Sequence, residues 1–201
     1  MAQIKRLVAF GCSLTYGHGL ADCYTHDGRE GPNPSVQAWP FLVARHFGLA
    51  IENQGQAGAS NKEIFQKIKN FNFQKGDVAI ILWTYINRHC TFYPEYVDRY
   101  GPWLASNRSK TWLKHLFNDY DSTIDLLNYS EHAELYLKSI KIKNCAYFAD
   151  HHTTVEVPED KLFHRLYLDF GRDGKHPGRQ SHIEFAKQVI ADPTGPAVWF
   201  S

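Results

Sequence analysis

Apolar and polar positions divide the chain into short continuous apolar runs and longer stretches with three-and-four spacing. Leu7 to Phe10 is a continuous run closed by Gly11, the pattern of a strand buried on both faces. "AWPFLVARHF" carries apolar residues at helical spacing, with Pro40 placed where it opens or kinks a helix. "LAIEN" predicts a second strand. The Gly-rich "QGQAGAS" follows it, then a helix "NKEIFQKIKNF" capped by Ser60 or Asn61. "DVAIILW" is a third strand, bounded by Gly76 and Asp77 before it and a polar turn after it.

Beyond the third strand the period is lost. Thr91 to Ser109 is aromatic and rich in turn residues, so a long loop is expected, of the kind that walls or covers a site. "SKTWLKHLFNDY" and "STIDLLNYSEHAELYLKSIK" return to helical spacing, and "NCAYFA" predicts another buried strand. Asp150 to Gly178 is irregular and rich in His and Asp. A closing helix is expected from about Gln180 to Ile190, and the last residues, 192–201, as a loose strap. Strands alternating with helices predict an α/β fold, a three-layer α/β/α sandwich with a mostly parallel sheet. With no repeat, linker or low-complexity stretch, residues 1–201 are expected to form a single domain with its core in about 5–191.

Composition narrows the function classes. With 22 basic and 21 acidic residues spread along the chain, nothing creates a field that would gather nucleic acid or anionic lipid. "MAQIKRLVAF" lacks a secretory h-region, and no run approaches the roughly 20 apolar residues of a membrane span. A soluble, cytoplasmic protein is expected. Cys12, Cys23, Cys90 and Cys145 form no CxxC pair, which argues against a zinc knuckle or a redox motif and for reduced thiols.

Ligands in open parallel sheets bind at the carboxyl ends of the strands, so the residues just after each strand are the candidates. They are Gly11, Cys12 and Ser13 after the first strand, Asn53 and Gly55 to Gly58 after the second, and Thr84 and Asn87 after the third. Asp173 and His176 precede the last helix. Serine, histidine and aspartate are a nucleophile, a base and an orienting group, and glycine amides and asparagine supply an oxyanion hole. Each residue also has a plain structural reading: Ser13 as a helix cap, the glycines as a tight turn, "DGKHP" as a surface turn.

In this order the residues resemble the SGNH hydrolases, also called the GDSL esterase/lipase family. "GCSLT" is similar to the block that carries the nucleophile, which falls on Ser13, although Cys12 stands where the family has aspartate. "ENQGQAGASN" is similar to the block whose glycine donates its amide to the oxyanion, with Gly58 the best match. "DGKHP" is similar to the last block and gives Asp173 and His176. "WTYINRH" lacks the usual Gly-x-Asn-Asp of the third block, and Asn87 takes the asparagine position only with one extra residue after Thr84. The resemblance spans Val8 to about Ala191 and implies a flavodoxin-like sandwich and a serine esterase that needs neither cofactor nor metal. Ser13, Asp173 and His176 would be catalytic, with Ser13, Gly58 and Asn87 in the oxyanion hole. The implied substrate is a small-molecule ester, such as an acetylated carbohydrate. Thr84, Tyr85, Tyr93 and Trp103 are the candidate substrate contacts.

Other readings compete. Cys12 is a second potential nucleophile beside Ser13. Asp150, His151 and His152, with His164 and His182, could hold a metal for a metal-dependent hydrolase, although His182 reads rather as a surface or packing histidine. A catalytically silent carbohydrate-binding module would keep the fold and the aromatic wall.

Overall fold

The computed structural model describes residues 5–25, 31–149, 161–163 and 167–199. Its spine is β3 (Asp77–Trp83), buried along all 7 residues, as its unbroken apolar run requires. β1 (Arg6–Phe10) pairs with one side of it and β6 (Lys143–Phe148) with the other. β2 (Ala50–Asn53) lies beyond β1, giving the order β2-β1-β3-β6 with every pairing parallel. Arg6 and Asp77, partners in register, also join side chain to side chain, Nε to Oδ1 at 3.0 Å and Nη2 to Oδ2 at 2.7 Å. This forked ion pair ties the entry ends of the two central strands.

The crossovers place the helices. From β1 the chain runs through α1 (Ser13–Tyr16) and α2 (Trp39–His46) out to β2, then back through α3 (Asn61–Asn70) to β3. α4 (Asn107–His115) and α5 (Asp119–Ser139) lead to β6, and α6 (Arg179–Ala191) and α7 (Pro196–Trp199) follow. Parallel crossovers are right-handed, so reversing direction across the sheet moves the helices to the opposite face. α2 accordingly packs with α6 and α3 with α5, one pair on each face of the sheet. This is the expected three-layer α/β/α sandwich. The reversal also opens a crevice at the carboxyl ends of β1 and β3.

Local sequence accounts for the helix starts. Ser60 accepts from the Glu63 amide at 3.3 Å and Glu63 reaches back to the Ser60 amide, a capping box that satisfies two free donors of α3. Pro40 stands in the first turn of α2, where its missing N–H costs nothing.

Three expectations change. The stretch from Thr91 to Ser109 is not a loop: β4 (His89–Phe92) and β5 (Val97–Tyr100) form an antiparallel hairpin, and α4 begins at Asn107. What holds it lies far off in sequence. His89 stacks on Trp112 with ring centres 5.3 Å apart, and Arg99 binds Glu63 of α3 through contacts as short as 2.6 Å. β6 is an outer strand whose exposure alternates, rather than a fully buried one. The tail is fastened. Asp192, 4% exposed, accepts from Tyr147 at 2.6 Å and pairs with Lys161, and Trp199 packs against the core. No helix among the described residues is long and apolar enough to cross a membrane.

Candidate active site

A cavity of about 990 Å³ opens at the carboxyl ends of the strands, lined by Ser13, His18, Gly58, Tyr85, Arg88, Trp103, Asp173 and His176 among others. A second cavity, about 710 Å³, lies at the opposite end of β3 and β6 between Phe71, Phe73 and Tyr136 and carries no comparable set of reactive side chains.

Ser13 is the first residue of α1, directly after β1 and Gly11. Gly11 has no alternative, since a Cβ there would lie 2.0 Å from Thr15 Oγ1 and 3.0 Å from the Leu82 carbonyl. The Ser13 side chain is 2% exposed and its hydroxyl approaches Cys12 Sγ at 4.0 Å. Cys12 itself belongs to the apolar core and is fully buried. It is not among the residues that line the cavity.

The Asp173–His176 segment is bound into a rigid turn. Asp173 Oδ1 accepts from the amides of Lys175 and His176, both at 3.0 Å, and Oδ2 lies 2.5 Å from His176 Nδ1. Burial works against the Asp173 carboxylate, yet these bonds hold its pKa at about 2. A carboxylate at Nδ1 fixes the proton on that nitrogen and leaves Nε2 with the lone pair. Burial pushes the His176 pKa below its ordinary value, with Asp173 pulling the other way and the neighbouring His18 adding to the depression. The neutral base therefore dominates at neutral pH.

Two further contacts seat this turn. Arg172 donates its amide to the Gly19 carbonyl at 2.6 Å, and Gly19 lies so close to the pair that a Cβ would meet His176 Cβ at 2.8 Å. Asp169 accepts from the amides of Gln180 and Ser181 at 3.0 and 2.8 Å, closing the open donors at the start of α6. Gly58 borders the same cavity with φ +75°, a left-handed conformation that glycine adopts without strain.

The structure thus brings Ser13, Gly58, Asp173, His176, Tyr85 and Trp103 to one cavity and leaves three expected residues outside its lining. Thr84 is fully buried behind the wall, its amide and carbonyl held by the Asn61 side chain at 2.8 and 3.0 Å. Asn87 sits in the turn after β3, where the next residue, Arg88, takes the cavity position instead. Tyr93 stacks on Tyr96 at the hairpin end, ring centres 4.6 Å apart. Among the lining residues not singled out from sequence are His18 and Arg88. His18 stood between two glycines with no partner in view, and Arg88 beside the asparagine that drew attention.

Of the metal candidates, Asp150, His151, His152 and His164 lie outside the described residues. His182 is a packing residue, wholly buried, with Nδ1 accepting the Trp39 amide at 3.3 Å. Among the described residues, His18, Asp173 and His176 could hold a metal ion, each with a ligand atom within 4.8 Å of the others.

No protein-family model matches the chain, and no curated protein matches it in sequence. Solved structures do match in fold. A protein put forward as a lipolytic member of the G-D-S-L family from Desulfitobacterium hafniense superposes with TM-score 0.54 at 11% identity, covering 92% of this chain and 97% of that one. A lipolytic G-D-S-L protein from Veillonella parvula gives 0.43 at 11% identity over 94% and 98%. The acetyl xylan esterase Est2A from Butyrivibrio proteoclasticus gives 0.48 at 11% identity over 94% and 63%. Identity this low speaks to architecture alone, and that architecture is shared with the G-D-S-L protein from Desulfitobacterium hafniense.

Proposed function

We propose that this chain hydrolyses a carboxylic ester through an acyl-serine intermediate, with a short acyl group on a carbohydrate or other small molecule. The observation that carries the reading is the 2.5 Å contact between His176 Nδ1 and Asp173 Oδ2 at a cavity that Ser13 and Gly58 also line.

A serine hydroxyl is a weak nucleophile at neutral pH and needs an adjacent base. In this reading His176 Nε2 takes the proton of the Ser13 hydroxyl as Oγ attacks the ester carbonyl. The amides of Ser13 and Gly58 receive the negative charge on the carbonyl oxygen, each such donor being worth about 10²–10³ in rate. His176 then gives the proton to the leaving alkoxide. Water, deprotonated by His176, attacks the acyl-serine and releases the acid. Asp173 keeps the imidazole in the required tautomer and stabilises it while it is charged. Tyr85 and Trp103 offer aromatic faces for the alcohol part of the substrate.

Fluorophosphonate labelling of the folded protein, mapped by mass spectrometry, tests the reading. The expected result is an adduct on Ser13 that His176→Ala suppresses, together with hydrolysis of 4-nitrophenyl acetate that Ser13→Ala abolishes. No adduct on Ser13 would overturn it. The ligand set of His18, Asp173 and His176 favours a second, metal-dependent reading. Hydrolysis that survives Ser13→Ala and disappears with a chelator would support that one.

A further inference from the structure

The cavity holds two arginines and treats them differently. Arg99 on β5 is ion-paired, its Nε and Nη2 donating to the oxygens of Glu63 at 2.6 to 3.2 Å. Arg88 has no such partner. Its guanidinium carbon lies over two aromatic faces, 5.0 Å from the ring centre of Tyr85 and 4.7 Å from that of Trp103. Its Nη1 is buried with no hydrogen-bond partner among the described residues. The carboxylates nearby are already engaged: Asp173 with His176, Asp98 with Arg108, Glu63 with Arg99. Neither Arg88 nor Lys175, also at the cavity, forms an ion pair with any described residue.

An arginine that stacks its planar faces on aromatic rings keeps its N–H edge open, and that edge matches the two oxygens of a carboxylate. The rings hold the cation by its charge as well as by contact. Partial burial strengthens its pull on an anion and makes an unused N–H costly, so the arrangement lacks one component, an acceptor. Its place is informative. Trp103, which carries Arg88 on its face, also flanks Gly58, with Cζ2 at 3.6 Å from where a Cβ would stand there. The guanidinium is therefore about one indole ring away from the amide that would hold the oxyanion.

We propose that Arg88 anchors a carboxylate carried by the substrate itself, so that this site selects anionic esters; the inference rests on the serine-esterase reading above. The charge of Lys175, which forms no ion pair with a described residue, adds to the attraction, and a neutral ester leaves the guanidinium without an anionic partner. Selectivity comes from that difference.

Two matched ester pairs test this with the full chain. 4-Acetoxybenzoate against its methyl ester places the charge on the alcohol side. 4-Nitrophenyl hydrogen succinate against 4-nitrophenyl methyl succinate places it on the acyl side. With each rate divided by that ester's own rate in buffer, the anionic member of at least one pair is expected to have kcat/KM at least about tenfold higher. Arg88→Gln should bring the ratio to within about twofold of unity, and Arg88→Lys should retain part of it, keeping the charge without the fork. Because both esters meet the same protein, a variant that folds poorly cannot imitate a change in ratio. Equal rates in both pairs, or a ratio untouched by Arg88→Gln, would overturn the proposal. If no ester is cleaved and Ser13 takes no fluorophosphonate, the esterase reading fails on its own. The anion site is then judged by whether benzoate or succinate raises the melting temperature of the wild type and not of Arg88→Gln; no difference overturns it.

Discussion

His18 lies against His176, ring centres 4.4 Å apart and planes at 33°, while its Nε2 stands 3.9 Å from the same Asp173 oxygen that His176 engages. Two imidazoles thus share one carboxylate. His18 adds to the burial that pushes the His176 pKa below its usual 6.5. The proposed base works only when neutral, so activity is retained down to pH values below 6.5 and is lost as pH falls through the depressed pKa. The acid limb of kcat/KM, which reports the free enzyme, should have its midpoint below 6.5. His18→Gln removes one of the depressing charges and should move that midpoint upward. A pH–rate profile of both proteins decides the matter, and identical limbs would mean that His18 has no electrostatic hold on His176.

Gly19 sets how closely the turn that follows Ser13 and the Asp173–His176 turn can approach. A methyl group there would meet His176 Cβ at 2.8 Å and Asp173 Oδ1 at 3.1 Å, at a φ of +94°. Gly19→Ala should therefore combine backbone strain of about 1 kcal/mol or more with displacement of the pair, and a 1 Å displacement of catalytic groups can cost about 10² in rate. Gly48, also at positive φ (+64°) but with nothing within 4 Å of an added Cβ, is the control for strain alone. The expected outcome is a comparable loss of melting temperature in the two variants and a large loss of kcat in Gly19→Ala only.

How much of this was legible in sequence follows from the range of the forces involved. β1 and β3 were readable because burial on both faces writes itself as an unbroken apolar run, and α3 because Ser60 and Glu63 stand three apart at its start. The hairpin β4–β5 was not, since His89 on Trp112 and Arg99 on Glu63 are contacts between residues more than twenty positions apart. Within the candidate site, Ser13, Gly58, Asp173 and His176 could be located because each follows a strand or precedes the last helix. After β3 the cavity is lined by Tyr85 and Arg88 and not by Asn87, because a turn of one residue more or less rotates which neighbour points inward, and turn geometry leaves little trace in composition. The fastening of the tail depends on Asp192, Tyr147 and Lys161 meeting in space, a three-way contact invisible to any local window.

Ser13 and Cys12 are adjacent and chemically comparable, and of the two only Ser13 lines the cavity. Cys12 is 0% exposed, and the other thiols, Cys23, Cys90 and Cys145, are no more than 7% exposed. Burial also pushes the Cys145 thiol up to about 12, far from its reactive thiolate form. Ellman's reagent should therefore find no rapidly reacting thiol in the folded protein and all four in denaturant. Ester hydrolysis should survive iodoacetamide treatment of the folded protein and Cys12→Ala, and should not survive Ser13→Ala. Rapid inactivation by iodoacetamide would place the nucleophile on sulfur.

His182 ties α6 to the start of α2, since its Nδ1 accepts the Trp39 amide at 3.3 Å in a wholly buried setting where Nε2 finds no partner. Burial pushes its pKa down to about 4, with Asp169 pulling weakly the other way. An unfolded chain binds the proton near 6.5 and the folded one only near 4, so between those values unfolding takes up a proton. Stability is therefore fully present above about pH 6.5 and falls as pH drops toward 4, this residue contributing a loss of about 3 kcal/mol by the end of the window. Asp173 and Asp192, both held at about 2, lose their contributions only at lower pH, between their ordinary value of 3.8 and about 2. Denaturant unfolding at intervals from pH 7.5 to 4.5 should show a slope approaching about 1.4 kcal/mol per pH unit beyond what the remaining groups supply. His182→Gln, which keeps an acceptor for the Trp39 amide and cannot titrate, should be less stable than the wild type at pH 7.5, with a flatter slope, so that the two curves converge toward pH 4.5. Parallel curves would mean that His182 is protonated in the folded protein, and with it the Trp39 amide would have lost its acceptor.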